Sequence, residues 1–200
     1  MIFFTSDLHF GHENVITYEN RPFENKKKMD EELIKLWNSV VSIEDEVYVL
    51  GDFSLSKKNI VDIGNRLNGV KKIVPGNHDY CFNLKNKSPE KIQSIIDTYR
   101  AAGFEIMPEM LSFILPCGAK VLLCHFPYAN INQGDTGYEP RYIEKRPKRE
   151  DDRWLIHGHV HGKWDIRREE RCFNVSVEVR NYRPISAYEI GLLIREYYKD

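Results

Sequence analysis

Leu155-Ile156-His157-Gly158-His159-Val160-His161-Gly162 ends a short apolar run at His157 and Gly158, then sets two histidines one residue apart before a second glycine. In an extended backbone, residues i and i+2 face the same side, so His159 and His161 are expected to reach one point together. The flanking glycines tolerate backbone angles that larger residues resist and leave room for a close neighbour. Alone, three nearby histidines fit a polar surface turn as well as a ligand cluster. Four further segments repeat the arrangement. Ile2-Phe3-Phe4 runs into Thr5-Ser6-Asp7-Leu8-His9-Phe10-Gly11-His12, and Val47-Tyr48-Val49-Leu50 ends at Gly51-Asp52. Ile73-Val74 ends at Pro75-Gly76-Asn77-His78-Asp79, and Val121-Leu122-Leu123-Cys124 ends at His125. Short apolar runs bounded by Gly, Pro or Asp read as buried strands. Ligands of open α/β sheets sit beyond the carboxyl ends of such strands, so these five segments predict one cation-binding rim.

The 200 residues suit a single domain, 1–200, with a substantial core. Hydrophobic residues at 42% with 30% charged residues describe an ordinary globular chain. Lys+Arg 29 against Asp+Glu 30 gives a net charge of -1, so nothing global argues for nucleic-acid binding. The first expected strand begins at Ile2, leaving no space for a secretory signal, and no apolar stretch approaches the ~20 residues of a membrane helix. Cys81, Cys117, Cys124 and Cys172 form no CxxC pair and read as reduced, mostly buried thiols. A cytoplasmic location is the expectation.

Between the ligand segments, Asn14 to Lys28 reads as a loop over the rim. Leu33, Leu36, Trp37 and Val40 recur at helical spacing behind Asp30, Glu31 and Glu32, and Trp37 reads as core. Ile60, Ile63, Gly64 and Leu67 suggest a second helix. Ser88-Pro89-Glu90 resembles a helix start, continued by Ile92, Ile95, Ile96 and Tyr99 as far as Gly103. Leu111–Leu115 and Lys120–Cys124 flank Pro116-Cys117-Gly118-Ala119 as a hairpin. From Asn130 to Arg153 the apolar rhythm stops. Arg141, Lys145, Arg146, Lys148 and Arg149 alternate there with acids, either as a solvated loop or as a substrate-facing insertion whose cations contact phosphate. Cys172–Val179 reads as a closing strand and Ser186–Tyr198 as a terminal helix.

Asp7-x-His9, Gly51-Asp52, Gly76-Asn77-His78-Asp79, His125 and Gly158-His159-x-His161, in that order, resemble the calcineurin-like metallophosphoesterases. Asp-Leu-His-Phe-Gly-His, His125-Phe126-Pro127-Tyr128, Asn174-Val175-Ser176-Val177 and Tyr182-Arg183-Pro184 are similar to a small, mostly bacterial and phage branch. The resemblance implies a four-layer α/β/β/α sandwich of two mixed β-sheets flanked by helices. It also implies two divalent transition-metal ions. Asp52 would bridge them, with Asp7, His9 and His161 completing one site and Asn77, His125 and His159 the other. Oxygen and nitrogen donors without cysteine suit Mn, Fe, Ni or Zn, with Mn favoured in vitro.

By the same resemblance, a hydroxide held between the metals attacks phosphorus in line, and His78 protonates the leaving oxygen with Asp79 orienting it. His12 reads as a substrate or supporting contact, and Tyr128 and Arg183 as lining residues, whereas His157 reads as structural. The implied substrate is a small phosphodiester or nucleotide-type ester, with a phosphomonoester second and no membrane partner. A small nucleic-acid end stays open. A non-catalytic scaffold of the same fold would be expected to lack ligands, and here each position is filled. Protein phosphatases of the superfamily carry an arginine-bearing segment after Gly-Asp and read Gly-Asn-His-Glu. Phe53-Ser54-Leu55 and Asp79 occupy those places here.

Overall fold

The computed structural model describes residues 1–129, 131, 141–149 and 152–197. In chain order the first elements are β1 (Ile2–Thr5), α1 (Asn14–Tyr18), α2 (Lys26–Asn38), β2 (Glu46–Val49), α3 (Lys57–Gly64), β3 (Val70–Ile73), α4 (Pro89–Ala101) and β4 (Phe104–Ile106). There follow β5 (Met110–Ile114), β6 (Lys120–Cys124), β7 (Trp154–His157), β8 (Ile166–Arg167), β9 (Cys172–Asn174), β10 (Ile185–Ser186) and α5 (Ala187–Tyr197).

Among the described residues the strands form two five-stranded sheets, in the orders β10-β1-β2-β3-β4 and β5-β6-β7-β9-β8. β1 to β4 are parallel, with β10 antiparallel on the edge. In the second sheet β6, β7 and β9 are parallel, flanked by antiparallel β5 and β8. Both sheets are therefore mixed, as expected, and the strands predicted from the five apolar runs are all present.

Strand alternation divides the core. Phe3, Val47, Val49 and Ile73 face outward and pack with Met29, Leu33 and Trp37 of α2, Ile60 and Ile63 of α3, and Ile95 and Tyr99 of α4. Phe4, Tyr48, Leu50 and Val74 face the other way and meet Val121, Leu123, Ile156 and Phe173 between the sheets, with Ile190 and Ile194 of α5. The outer face of the second sheet, bearing Leu122, Cys124, Leu155 and Cys172, is covered by Phe126, Tyr128 and Ile131, with Tyr142 and Trp164 against them.

Some boundaries differ from expectation. Asn14–Lys28 is not one loop: it holds α1 and the start of α2, whose N-cap Asn25 accepts the Lys28 N–H. Asp30 thus lies beyond the first turn, and its carboxylate accepts the Gly11 N–H at 2.9 Å instead. After Asn174 the chain leaves the sheet for a 3₁₀ turn, Val177–Val179, because Val177 N–H donates across to Ser6 O of the first sheet at 3.1 Å. Of Asn130–Arg153, residues 130, 132–140, 150 and 151 lie outside the described residues, and Ile143–Lys145 is a 3₁₀ turn. All four cysteines are free thiols, three of them buried.

Trp37 is fully buried, and its indole N–H donates to Asn68 O at 3.0 Å. Trp37→Ala should lower unfolding free energy by roughly 3–5 kcal/mol, read as a drop in urea midpoint at an unchanged slope.

Candidate metal centre

The five predicted segments end at one rim, but not in extended backbone. Asp7, His9, Asp52, His159 and His161 all adopt left-handed φ, at 58°, 53°, 55°, 71° and 50°. Asp and His tolerate this region better than most residues, yet each such residue is disfavoured by about 1–2 kcal/mol. Hydrogen bonds compensate: Asp7 N–H donates to Gly51 O (3.1 Å), His9 N–H to Asp52 O (2.9 Å), and Gly158 N–H to His125 O (3.0 Å). The curled chain sends His159 and His161 to neighbouring points, not to the single point that an extended strand would give. Two glycines make room. A Cβ on Gly158 would fall 1.9 Å from Ser6 Oγ and 2.4 Å from Asp7 Oδ2, and one on Gly76 would fall 2.4 Å from Asp52 Oδ1.

One cluster is Asp7, His9 and His161, and a second is Asp7, Asp52 and His125, each with ligand atoms within 4.8 Å of one another. Asp52 Oδ2 lies between them, 3.6 Å from His9 Nε2 and 3.5 Å from His125 Nε2. His125 Nε2 is also 3.1 Å from Asn77 Oδ1 and 3.2 Å from His159 Nδ1. All seven expected ligand residues thus converge.

The tautomers follow from the outer bonds. His125 Nδ1 faces Leu50 O at 2.8 Å and donates, leaving the Nε2 lone pair for the centre. His161 Nδ1 faces Glu178 Oε1 at 2.9 Å, leaving Nε2 toward Asp7 Oδ1 at 3.8 Å. Glu178 Oε1 also accepts from Arg21 Nε (3.0 Å) and Nη2 (2.6 Å), and Arg21 donates to Asp7 O (2.6 Å) and Leu8 O (2.9 Å). Asp7 Oδ2 accepts the His159 N–H at 2.9 Å and lies 2.7 Å from Ser176 Oγ.

Burial would raise the Asp7 pKa, but the neighbouring histidines, His161 foremost, bring it below the ordinary carboxylate range. Burial and the Asp7 charge push Asp52 up to about 8. Burial opposes the charged form of His161, yet Asp7 and Glu178 raise it to about 9. Burial holds His9, His125 and His159 below their ordinary value, hence neutral, as ligation requires. Among the described residues, Asp7 Oδ1 and both ring nitrogens of His9 are buried without a hydrogen-bond partner. Orphaned N and O donors around a shared carboxylate oxygen fit a pair of divalent cations.

The other candidates divide. His78 is exposed at the rim, its ring 5.4 Å from that of His9 and its N–H donating to Asp52 Oδ1 at 2.9 Å. Asp79 does not orient it. That carboxylate is buried and taken up by the N–H groups of Asp52 (2.8 Å), Gly76 (2.8 Å) and Phe53 (3.0 Å), so it fixes the two loops instead. His12 stands beside the centre, 5.6 Å from the His9 ring. Tyr128 is not a lining residue: it is buried in the outer layer, its hydroxyl donating to Arg153 O at 3.2 Å. Arg183 is not brought to the cluster either, and lines a surface cavity with Arg180, Pro184 and Glu189. His157 is structural, buried with Nδ1 2.7 Å from Gly158 O. Glu178, Arg21 and Ser176 carry roles that no local pattern assigned them. The only sign was that Ser176 lies in a stretch resembling the branch.

The calcineurin-like phosphoesterase family model matches residues 1–164, most of the chain and every segment of this rim. The chain belongs to the calcineurin-like phosphoesterases. This calcineurin-like phosphoesterase is 36% identical to the uncharacterized protein MJ1445 of Methanocaldococcus jannaschii, covering 98% of this chain and 92% of that one. It is 31% identical to the gene 66 protein of Mycobacterium phage L5, covering 98% and 95%. A crystal structure of AQ665 from Aquifex aeolicus, described as of unknown function, superposes with TM-score 0.70 at 29% identity, covering 97% and 99%.

In the metal-free phosphoesterase Asp52 and His161 hold protons at pH 7 that a cation must displace. Mn²⁺ binding should therefore release protons and tighten as pH rises from about 6 to 9, measurable by calorimetry in buffers of different ionisation enthalpy. Glu178→Gln should weaken Mn²⁺ binding about 10–100-fold, read by competition with a chelator.

Proposed function

We propose that this phosphoesterase hydrolyses a small phosphodiester or nucleotide-type phosphate ester at a centre for two divalent metals, with manganese as the working ion in vitro. The observation that carries the reading is Asp52 Oδ2, set within 3.6 Å of a His9 nitrogen and 3.5 Å of a His125 nitrogen. Asp7, His9 and His161 would hold one ion, Asn77, His125 and His159 the other, and Asp52 both. When bound, such a pair neutralises phosphoryl charge and lowers the pKa of water.

The side chains of this chain supply the rest. His125 and His161 are oriented by Leu50 O and Glu178, so their Nε2 atoms face the centre. Asp79 holds Asp52, Phe53 and Gly76 in register, which keeps the bridging carboxylate in place. His78, exposed beside His9, would give a proton to the leaving oxygen. Partial desolvation against the centre lowers its pKa, so the donor form is favoured on the acid side of neutrality. His12 would contact substrate from the same rim. Phe53, where a protein phosphatase would place its arginine-bearing segment, is buried between Phe10 (5.1 Å) and Phe104 (4.9 Å), which argues against a phosphoprotein substrate. A phosphomonoester is the second reading.

A Mn²⁺-supplemented panel of cyclic nucleotides, dinucleotides, nucleoside mono- and polyphosphates and nitrophenyl mono- and diesters tests this. Metal-dependent turnover of a diester is expected, and a chelator should abolish it. Complete inertness would support a scaffold. His78→Ala should slow a poor leaving group about 10²–10⁴-fold, with less effect on a nitrophenolate ester. Equal losses on both would remove the acid role.

A further inference from the structure

Among the described residues, the first sheet ends at β10 and β4 and the second at β5 and β8. A sheet edge that is long, apolar and uncharged is a template for another strand, and proteins ordinarily blunt it. β10 and β8 have two residues each, and β8 carries Arg167. β4 has three, with the exposed Glu105 in the middle. β5 differs. It runs five residues, Met-Leu-Ser-Phe-Ile, without a charge, proline or glycine, and among the described residues it pairs only with β6. Met110 and Ile114 are 42% and 64% exposed.

The register fixes which main-chain groups of β5 are free. Leu115 N–H donates to Ala119 O at 2.9 Å, continuing the pairing that sets Met110 against Cys124 and Ile114 against Lys120. Along an antiparallel strand, residues bonded to the neighbour alternate with residues turned away from it. Leu111 and Phe113 therefore bond to β6, while Met110, Ser112 and Ile114 turn their N–H and C=O groups to the open edge. The next residues in that phase are Pro108 and Pro116, and neither has an N–H to donate. Ser112 lies midway between them.

Side chains follow the same symmetry. Met110, Ser112 and Ile114 share the outer face, and Leu111 and Phe113 are partly buried against the core between the sheets. Arg153 Nη1 donates to Ser112 Oγ at 3.0 Å, so that hydroxyl is held within its own sheet. β4 ends the first sheet on the same side, since only residues 107–109 separate it from β5. Leu84, Ile96, Phe104 and Ile106 line a cavity of about 420 Å³ along β4, so apolar surface on this side extends beyond β5.

We propose that β5 is a self-association edge, on which a second copy of this chain pairs antiparallel about a two-fold axis at Ser112. In that register Ser112 faces its own copy and Met110 faces Ile114, each pair exchanging both N–H···O bonds. Leu111 meets Phe113 on the inner face. No like charges oppose each other along the strand, and the prolines stop the ladder at both ends together. An unrelated strand has no reason to match that centre, whereas a copy of β5 matches it by symmetry, so the occupant is this chain itself. The axis stands perpendicular to the joined sheet, so the two rims open at opposite ends. Each metal centre is then complete within one chain, and the inference does not depend on the reaction proposed above.

Sedimentation equilibrium of the full chain over a concentration series is the test. The wild type should approach twice the mass of one chain as concentration rises. Ser112→Pro should stay monomeric. It removes the N–H at the axis and no bond to β6, so at low concentration its melting temperature should match that of wild type. Ile114→Lys should weaken association at least about tenfold, since both symmetry-related pairs with Met110 are lost. Adding Met110→Glu to Ile114→Lys should recover most of that loss, because the new charges face each other only when Ser112 is the centre. A wild type that is monomeric throughout its soluble range overturns the proposal, as does a dimer that persists unchanged in Ser112→Pro. A double variant no tighter than Ile114→Lys overturns it too. Should Ser112→Pro fail to fold, the two Ile114 variants carry the comparison, since that side chain lies outside the core.

Discussion

The Asp7 carboxylate is the fastening on which the remaining geometry depends. It belongs to the first sheet, but Oδ2 is gripped by the His159 N–H and the Ser176 hydroxyl, both supplied from the ends of second-sheet strands. A buried carboxylate is tolerable only when paired and hydrogen-bonded, so the sheets cannot separate at this edge without orphaning it. Arg21 secures the same loop from behind through Asp7 O and Leu8 O. Oδ2 serves the fold and Oδ1 stays turned to the centre.

Around that fastening, fold and chemistry share their bonds. Ser6 Oγ donates to Leu50 O at 2.7 Å, and the same carbonyl orients His125. Asn174 Nδ2 donates to His161 O (2.8 Å) and Trp164 O (2.6 Å), fixing the turn that carries His161. Asp79 ties the Asp52 loop to the Gly76 loop. The centre is therefore rigid because the same groups close the sandwich.

Much of this was legible because buried parallel strands write themselves as apolar runs, and a polar residue following such a run lies at a strand end. Asp7, His9, Asp52, Asn77, His125, His159 and His161 all carried that mark. Glu178 and Arg21 did not, because their partnership spans 157 residues and leaves no local pattern. β8 and β10, two residues each, are too short for periodicity to register. Tyr128, read as a lining residue, is instead buried, because the chain after His125 turns onto the outer sheet face. Asp79 departs from the orienting role that the resemblance implied, because three nearby amides claim its carboxylate.

Left-handed backbone at Asp7, His9, Asp52, His159 and His161 has a consequence for reuse of this centre. Where donors lie is written in main-chain torsions as much as in residue type. Transplanting the seven side chains onto ordinary strand termini of another scaffold would move the alphabet without the spelling. A successful graft must import the loops whole, with their glycine clearances and the carbonyls that anchor them.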